Sequence, residues 1–203
     1  MFNEKRLNFN SKEKKINLLK QIEEYKPYNS QEEKDKEMFF EYMTSFDNYL
    51  VRENEYGHMT SSAFVLNRER TKVLLIHHNI YNSWGWLGGH ADGDSDLLHV
   101  AIKEAKEESG IKDVKPISKE ILVIDTIPVH GHMKRGKYVS AHVHLNTSFA
   151  LEADENEILH IKEDENSGVK WVPIDEMVKL SEESFMKYIY QKAIDKMREL
   201  GII

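Results

Sequence analysis

Three carboxylates crowd into one short stretch of the chain, at Glu104, Glu107 and Glu108. If that stretch is helical, residues three and four apart share a face, and all three acids project within little more than one turn. Left alone they repel. A hard divalent cation offsets that repulsion, and an all-oxygen ligand set favours magnesium or manganese. A bare E-x-x-E-E also reads as a solvated acidic helix face. What tips the balance is the loop just ahead of it, Trp84-Gly85-Trp86-Leu87-Gly88-Gly89. Gly88 and Gly89 lack a Cβ, so their backbone can come close to an ion or a phosphate. A glycine loop feeding a carboxylate helix points to a metal-phosphate site, although the spacing alone does not name the reaction.

The carboxylates need a support. The sequence predicts a helix from about Asp96 to Ser109, stopped by Gly110, with Leu98, Ala101, Ile102 and Ala105 as a core-facing side distinct from the acids. Upstream, Ser62 to Asn67 and Lys72 to His77 are β-prone runs joined by a turn at Arg68-Glu69-Arg70, which predicts a hairpin. Downstream, two long strands are expected at Ile121 to Met133 and Tyr138 to Ala150 around a turn at Lys134-Arg135-Gly136, with a shorter one at Val169 to Val172. Ser181 is the expected cap of a last amphipathic helix carrying Phe185, Ile189, Ile194 and Met197. At the start, Ile16, Leu19 and Ile22 mark an amphipathic helix from Ser11 to about Tyr25. A second helix, opened by a Ser30/Glu33 capping box, carries Met38, Phe39, Tyr42, Met43, Phe46 and Leu50. Strands interspersed with helices predict an α/β fold with a mixed sheet between helical layers. The initial helix pair cannot bury both its stripes alone, so it must pack on the rest of the chain or form a homodimer surface.

Composition narrows the class. A chain of 203 residues suits one catalytic-sized domain plus an appendage. Its net charge of -7 argues against a general nucleic-acid or anionic-membrane binder. No cysteine occurs, which excludes disulfides, thiolate metal sites and thiol nucleophiles. The polar start lacks the apolar core of a secretory signal, and no run approaches the roughly 20 apolar residues of a membrane span. A cytoplasmic protein is expected.

Residues Gly89 to Ile111, GHADGDSDLLHVAIKEAKEESGI, resemble the Nudix box, G-x5-E-x7-R-E-U-x-E-E-x-G-U with U aliphatic, in unbroken register. The resemblance, to the Nudix hydrolase (MutT-like) family, implies a Nudix-type α/β/α sandwich with a mixed sheet in residues 56–203. Residues 1–55 are then a helical N-terminal extension. It implies that Gly89 lends its carbonyl to the metal and that Glu104, Glu107 and Glu108 are metal ligands, with Mg2+ or Mn2+ as cofactor. It also implies hydrolysis of the diphosphate linkage of a nucleoside diphosphate derivative or related organic diphosphate. Water attack at phosphorus then has Glu104 or Glu165 as proton acceptor, with Glu108 essential. Glu165 is the first choice for the late acid this family often recruits, ahead of Glu163 and Asp164. Two positions depart from the box. Ser95 stands where glutamate is usual, with Asp94 or Asp96 as compensation, and Lys103 replaces arginine, keeping charge but losing its planar fork. Leu87 also replaces a frequent proline.

Substrate contacts are expected from Trp84, Trp86, Gly88, His90 and Arg135, although tryptophans in such a loop equally serve as packing anchors. His130 and His132, with His142 and His144 on the expected partner strand, form either a transition-metal group or, the favoured reading, cross-strand packing. The partner is a small-molecule nucleotide or organic diphosphate rather than a nucleic-acid polymer or a membrane. The rival function is a Nudix-like ligand-binding or regulatory domain that has lost hydrolysis. Isomerisation of isopentenyl diphosphate, also found on this fold, ordinarily uses a cysteine that this chain lacks.

Overall fold

The computed structural model describes residues 13, 15–134 and 136–203. Arg135 and the expected helix start at Ser11 therefore lie outside the described residues. The strands are β1 Gly57–Asn67, β2 Lys72–His78, β3 Ser83–Gly85, β4 Leu87–His90, β5 Lys115–Pro116, β6 Val123–Val129, β7 His132–Lys134, β8 Lys137–Val139, β9 His142–Ala153 and β10 Asn166–Pro173. The helices are α1 over residues 15–24, α2 Ser30–Ser45, α3 Leu97–Ser109, α4 Met177–Leu180 and α5 Ser184–Glu199. One mixed sheet runs β10-β2-β1-β9-β5, with β3 on β2, β4 on β1 and β6 on β9. The expected α/β fold with a mixed sheet and two N-terminal helices is thus what the chain forms. By packing, the residues fall into two compact units: Met1–Thr60, His90–Leu97 and Ile124–Asn146 in the first, Ser61–Gly89, Leu98–Val123 and Thr147–Ile203 in the second.

In the first unit, α1 buries Leu18, Ile22 and Tyr25, while Ile16 is 57% exposed. The buried stripe thus follows the 18-22-25 spacing and is rotated away from the predicted Ile16 edge. Asn29, not Ser30, caps α2: its side-chain oxygen accepts from the Glu32 amide at 3.0 Å, and Ser30 is already the first helical residue. The Glu32 carboxylate is buried and accepts from Tyr25 Oη at 2.6 Å and the Tyr28 amide at 2.7 Å, which ties the two helices together. Burial, and then the adjacent Glu32 charge, push the Tyr25 hydroxyl far above its ordinary range. Helix α2 ends at Ser45, so the predicted stripe is split: Phe39 and Met43 are buried on the helix, and Leu50 is buried in the turns beyond it.

Two long strands were expected after α3, and each is broken. The ribbon β7-β8 forms a sheet of its own, pairing Met133 with Tyr138. At each break a histidine ring engages a backbone carbonyl two residues earlier, His132 Nδ1 with His130 O at 2.9 Å and His142 Nδ1 with Ser140 O at 2.8 Å. Such local side-chain bonds compete with the sheet ladder for the backbone.

The second unit contains the predicted hairpin, with Leu66 opposite Val73, and β10 lies antiparallel on β2 with Trp171 opposite Leu74. Helix α3 stops where expected, at Gly110, whose φ of +78° suits glycine and whose amide donates to Lys106 O at 2.9 Å. Ser181 does not cap α5. It ends α4, three residues short of Ser184, and its buried hydroxyl has no hydrogen-bond partner among the described residues, while Glu183 occupies the cap position of α5. Ile189, Ile194 and Met197 are buried on α5 as predicted, but Phe185 is exposed.

The capping assignment separates two neighbouring polar residues. Asn29→Ala is expected to lower unfolding free energy by about 1 kcal/mol, and Ser30→Ala to change it by less than about 0.5 kcal/mol. Urea denaturation reads both; equal losses would return the cap to Ser30.

Candidate functional site

The buried residues of α3 are Leu97, Val100, Ala101, Glu104, Ala105, Glu108 and Ser109. Glu104 and Glu108 therefore continue the apolar stripe instead of occupying a separate solvent face, which corrects the sequence expectation. Only Glu107 of the three is substantially exposed. Two acids four residues apart on a buried stripe repel each other and are poorly solvated, so this is not a solvated acidic face.

The glycine loop meets both acids. The Gly88 amide donates to Glu108 Oε2 at 2.8 Å. A Cβ at Gly89 would lie 2.6 Å from Glu104 Oε2, so only glycine leaves room for that carboxylate. A Cβ at Gly88 would instead meet backbone, 2.6 Å from Ser61 O and 2.8 Å from Ser62 Cα. The same C-terminal end of α3 is fixed twice more: the His160 amide donates to Ser109 O at 2.8 Å, and the buried Asn166 side chain donates to Glu108 O at 3.0 Å.

Two lysines answer the acids. Lys103 Nζ lies 3.1 Å from Glu104 Oε1 and 3.9 Å from Glu107 Oε1. It keeps the charge of the arginine that the Nudix pattern has here, as a single point shared by two carboxylates. Lys162 Nζ lies 3.0 Å from Glu165 Oε2 and 3.6 Å from Glu107 Oε2. Burial pulls the Lys162 ammonium down, but its bond to Glu165 and the fields of Glu165, Glu104 and Glu107 outweigh that and raise it. Of the late acids, Glu165 is thus linked to the helix set through Lys162, and its charge also acts on Glu108. Glu163 instead offers its backbone oxygen to the Asn79 side chain at 3.1 Å.

Glu108 is 2% exposed. Burial pushes its carboxyl up to about 8; the Gly88 amide opposes this, the charges of Glu104 and Glu165 add to it, and Lys162 opposes it. A divalent cation fits this set. It would meet Glu104 and Glu108 where they lie against Gly89 and Gly88, and it would replace the proton that burial forces onto Glu108. Glu104, Glu107 and Glu108, with the Gly89 carbonyl, are the residues able to hold it.

The other predicted contacts separate. Trp86 packs edge-on against Phe64 and Tyr190, with ring centroids 5.4 and 5.3 Å away. Trp84 has the Lys170 ammonium 3.9 Å above its ring and His77 edge-on at 5.2 Å. His90 belongs to the first unit, where it packs against His58 and His144. His142 and His144 join that group, but His130 and His132 make no contact with it among the described residues, so the expected cross-strand set does not form. Sequence reasoning missed Lys162, Asn166 and His58. Lys162 was detectable three residues before Glu165 on one turn; the other two act through contacts remote in the chain.

Compared with known proteins, residues 57–193 match the NUDIX domain. Solved structures with similar folds include a C. elegans Ap4A hydrolase at 15% identity and TM-score 0.48, over 70% of this chain and 98% of that one. A MutT protein from Bacillus halodurans matches at 20% and 0.42, over 66% and 79%. An E. coli dihydroneopterin triphosphate pyrophosphohydrolase matches at 13% and 0.48, over 66% and 92%. No curated protein matches.

Two outcomes follow from this geometry. Because the folded-state pKa of Glu108 is raised, the stability it contributes is fully present below about pH 4.5 and is lost as pH rises through about 8. The metal-free melting temperature should therefore fall over that window more steeply than in Glu108→Gln; parallel curves would remove the buried proton. Gly88→Ala should cost about 1–3 kcal/mol of stability through its backbone clash. Gly89→Ala should melt nearly as the parent does but bind Mn2+ about 10–100-fold more weakly by calorimetry. Equal effects at the two glycines would contradict their separate roles.

Proposed function

Since the chain belongs to the Nudix family, we propose that it is a divalent-metal-dependent hydrolase cutting the diphosphate linkage of a nucleoside diphosphate derivative or related organic diphosphate by water attack at phosphorus. The observation that carries this reading is the buried Glu108 carboxyl held by the Gly88 amide, with Glu104 and Glu107 on the same helix. An inert helix has no use for two buried acids four residues apart, and a carboxyl raised as strongly as that of Glu108 is the kind of group found where chemistry is done. We assign the catalytic domain to residues 56–203 and treat 1–55 as an extension.

Glu104, Glu107 and Glu108 would hold Mg2+ or Mn2+, with the Gly89 carbonyl as a neutral ligand. When bound, such an ion supplies Lewis-acid stabilisation of phosphate charge and acidifies water. The remaining work belongs to the chain. The fixed C-terminal end of α3 keeps Glu107 and Glu108 in place, so little reorganisation accompanies binding. Glu165 Oε2, oriented by Lys162 Nζ at 3.0 Å, accepts the proton of the attacking water, with Glu104 as the alternative acceptor. Lys103 and Lys162 hold positive charge beside the incoming phosphates. Gly88 offers a backbone approach to the diphosphate, and Trp84 and Trp86 border the leaving group.

The test is Mg2+- and Mn2+-dependent hydrolysis across a panel of dinucleoside polyphosphates, nucleotide sugars, ADP-ribose and nucleoside triphosphates. Glu108→Gln should lose at least about a hundredfold in kcat/KM while its metal-free form melts near the parent at about pH 4.5 and no lower than the parent at neutral pH, because glutamine mimics the protonated acid. Undiminished turnover in Glu108→Gln would remove the assignment. Tight metal-dependent binding of a panel compound with no turnover in any condition would establish the ligand-binding alternative.

A further inference from the structure

Four histidines of the first unit crowd together. The His58 ring centroid lies 5.0 Å from those of His90, His142 and His144 alike. His90 and His144 are 4.9 Å apart, and His142 and His144 are 5.1 Å apart. One ring nitrogen each from His58, His90 and His144 lies within 4.8 Å of the other two.

The hydrogen bonds decide what these nitrogens offer. His58 Nδ1 lies 3.1 Å from Asn54 O, and a carbonyl oxygen can only accept, so Nδ1 carries the proton and Nε2 presents a lone pair. His58 is 4% exposed, and its Nε2 is buried with no hydrogen-bond partner among the described residues. A buried acceptor left without a donor is rare, because desolvation goes uncompensated. His142 repeats the arrangement: Nδ1 lies 2.8 Å from Ser140 O, which leaves a lone pair on Nε2. That lone pair sits 3.2 Å from His144 Nε2. Two nitrogens bound at about 2.0–2.1 Å to a tetrahedral ion lie about 3.3–3.4 Å apart, close to this spacing. Donating the outer ring nitrogen to a backbone carbonyl is also how metal-bound histidines are commonly oriented.

Burial, followed by the neighbouring His90, His58 and His142 rings, keeps His144 in the neutral form that a metal requires. The nearby Arg52 guanidinium is matched by Asp92, through bonds of 2.7 and 2.6 Å. An all-imidazole set does not suit magnesium or calcium, which take oxygen ligands; it suits zinc and its neighbours in the first transition row.

We infer that His58, His90 and His144, with His142 beside His144, form a site for one divalent transition cation of the zinc class, built from residues other than the carboxylates assigned to hydrolysis. The ion ties together the segments around residues 58, 90 and 144 of the first unit through three imidazoles.

The test uses the full chain without an oligohistidine tag, produced with zinc in the medium and dialysed against metal-free buffer. Elemental analysis should find about one zinc per chain, retained in Glu108→Gln and lost in His58→Gln and His144→Gln. Titration of the stripped protein with Co2+ should give the intense visible absorption of tetrahedral nitrogen coordination, and Zn2+ should raise the melting temperature of the parent but not of those two variants. Should both variants fail to fold, His90→Gln serves, with a weakened and shifted Co2+ spectrum expected. A metal-free parent with a featureless Co2+ titration would overturn the site, as would zinc retained equally by every histidine variant. Loss of zinc in Glu108→Gln alone would move the ion to the carboxylates.

Discussion

The hydrogen bond from the Gly88 amide to Glu108 governs the second unit. A carboxyl placed among Val100, Ala101 and Ala105 on a buried stripe is unfavourable unless it is protonated, hydrogen-bonded or met by a cation. The loop supplies one donor, and the glycine after it makes room for the second acid. Lys103 and Lys162 balance the exposed rim, where Glu107 and Glu165 sit. The helix is therefore held in a state of unmet electrostatic demand, which the divalent ion and diphosphate proposed above would meet.

This same constraint explains what the sequence conceals. Glycine loop, acid spacing and helix stop were legible because each is local: Gly88 and Gly89 by their lack of a side chain, Glu104 and Glu108 by helical period, Gly110 by its position after Ser109. The orientation of α3 was not legible. Its apolar residues alone suggested a core face separate from the acids, since a pattern of hydrophobic and charged types gives no hint that a carboxylate is itself a core residue.

Other differences share the theme of local chemistry overruling periodicity. Ile22 is buried as its spacing suggests, yet α1 turns Leu18 inward and leaves Ile16 outside. Asn29 takes the cap ahead of a well-spaced Ser30 because it stands one residue earlier, outside the helix. The expected long strands end where His132 and His142 engage their own backbone. The histidine group was half visible: His142 and His144 share a strand, but their partners His58 and His90 come from remote positions that no short-range pattern connects.

Because the C-terminal end of α3 is anchored three times, by the Gly88 amide on the Glu108 side chain and by His160 and Asn166 on the Ser109 and Glu108 carbonyls, the Glu108 carboxyl is held from within its own unit. Exposed Ile80 and Tyr81 can accumulate substitutions without moving the acids, whereas Asn79 is tied to the Glu163 and Glu165 carbonyls. In evolutionary terms, the chain separates an inherited reaction centre from a replaceable recognition border. Descendants of such a scaffold can diverge in the compound they select while the bond they break stays the same.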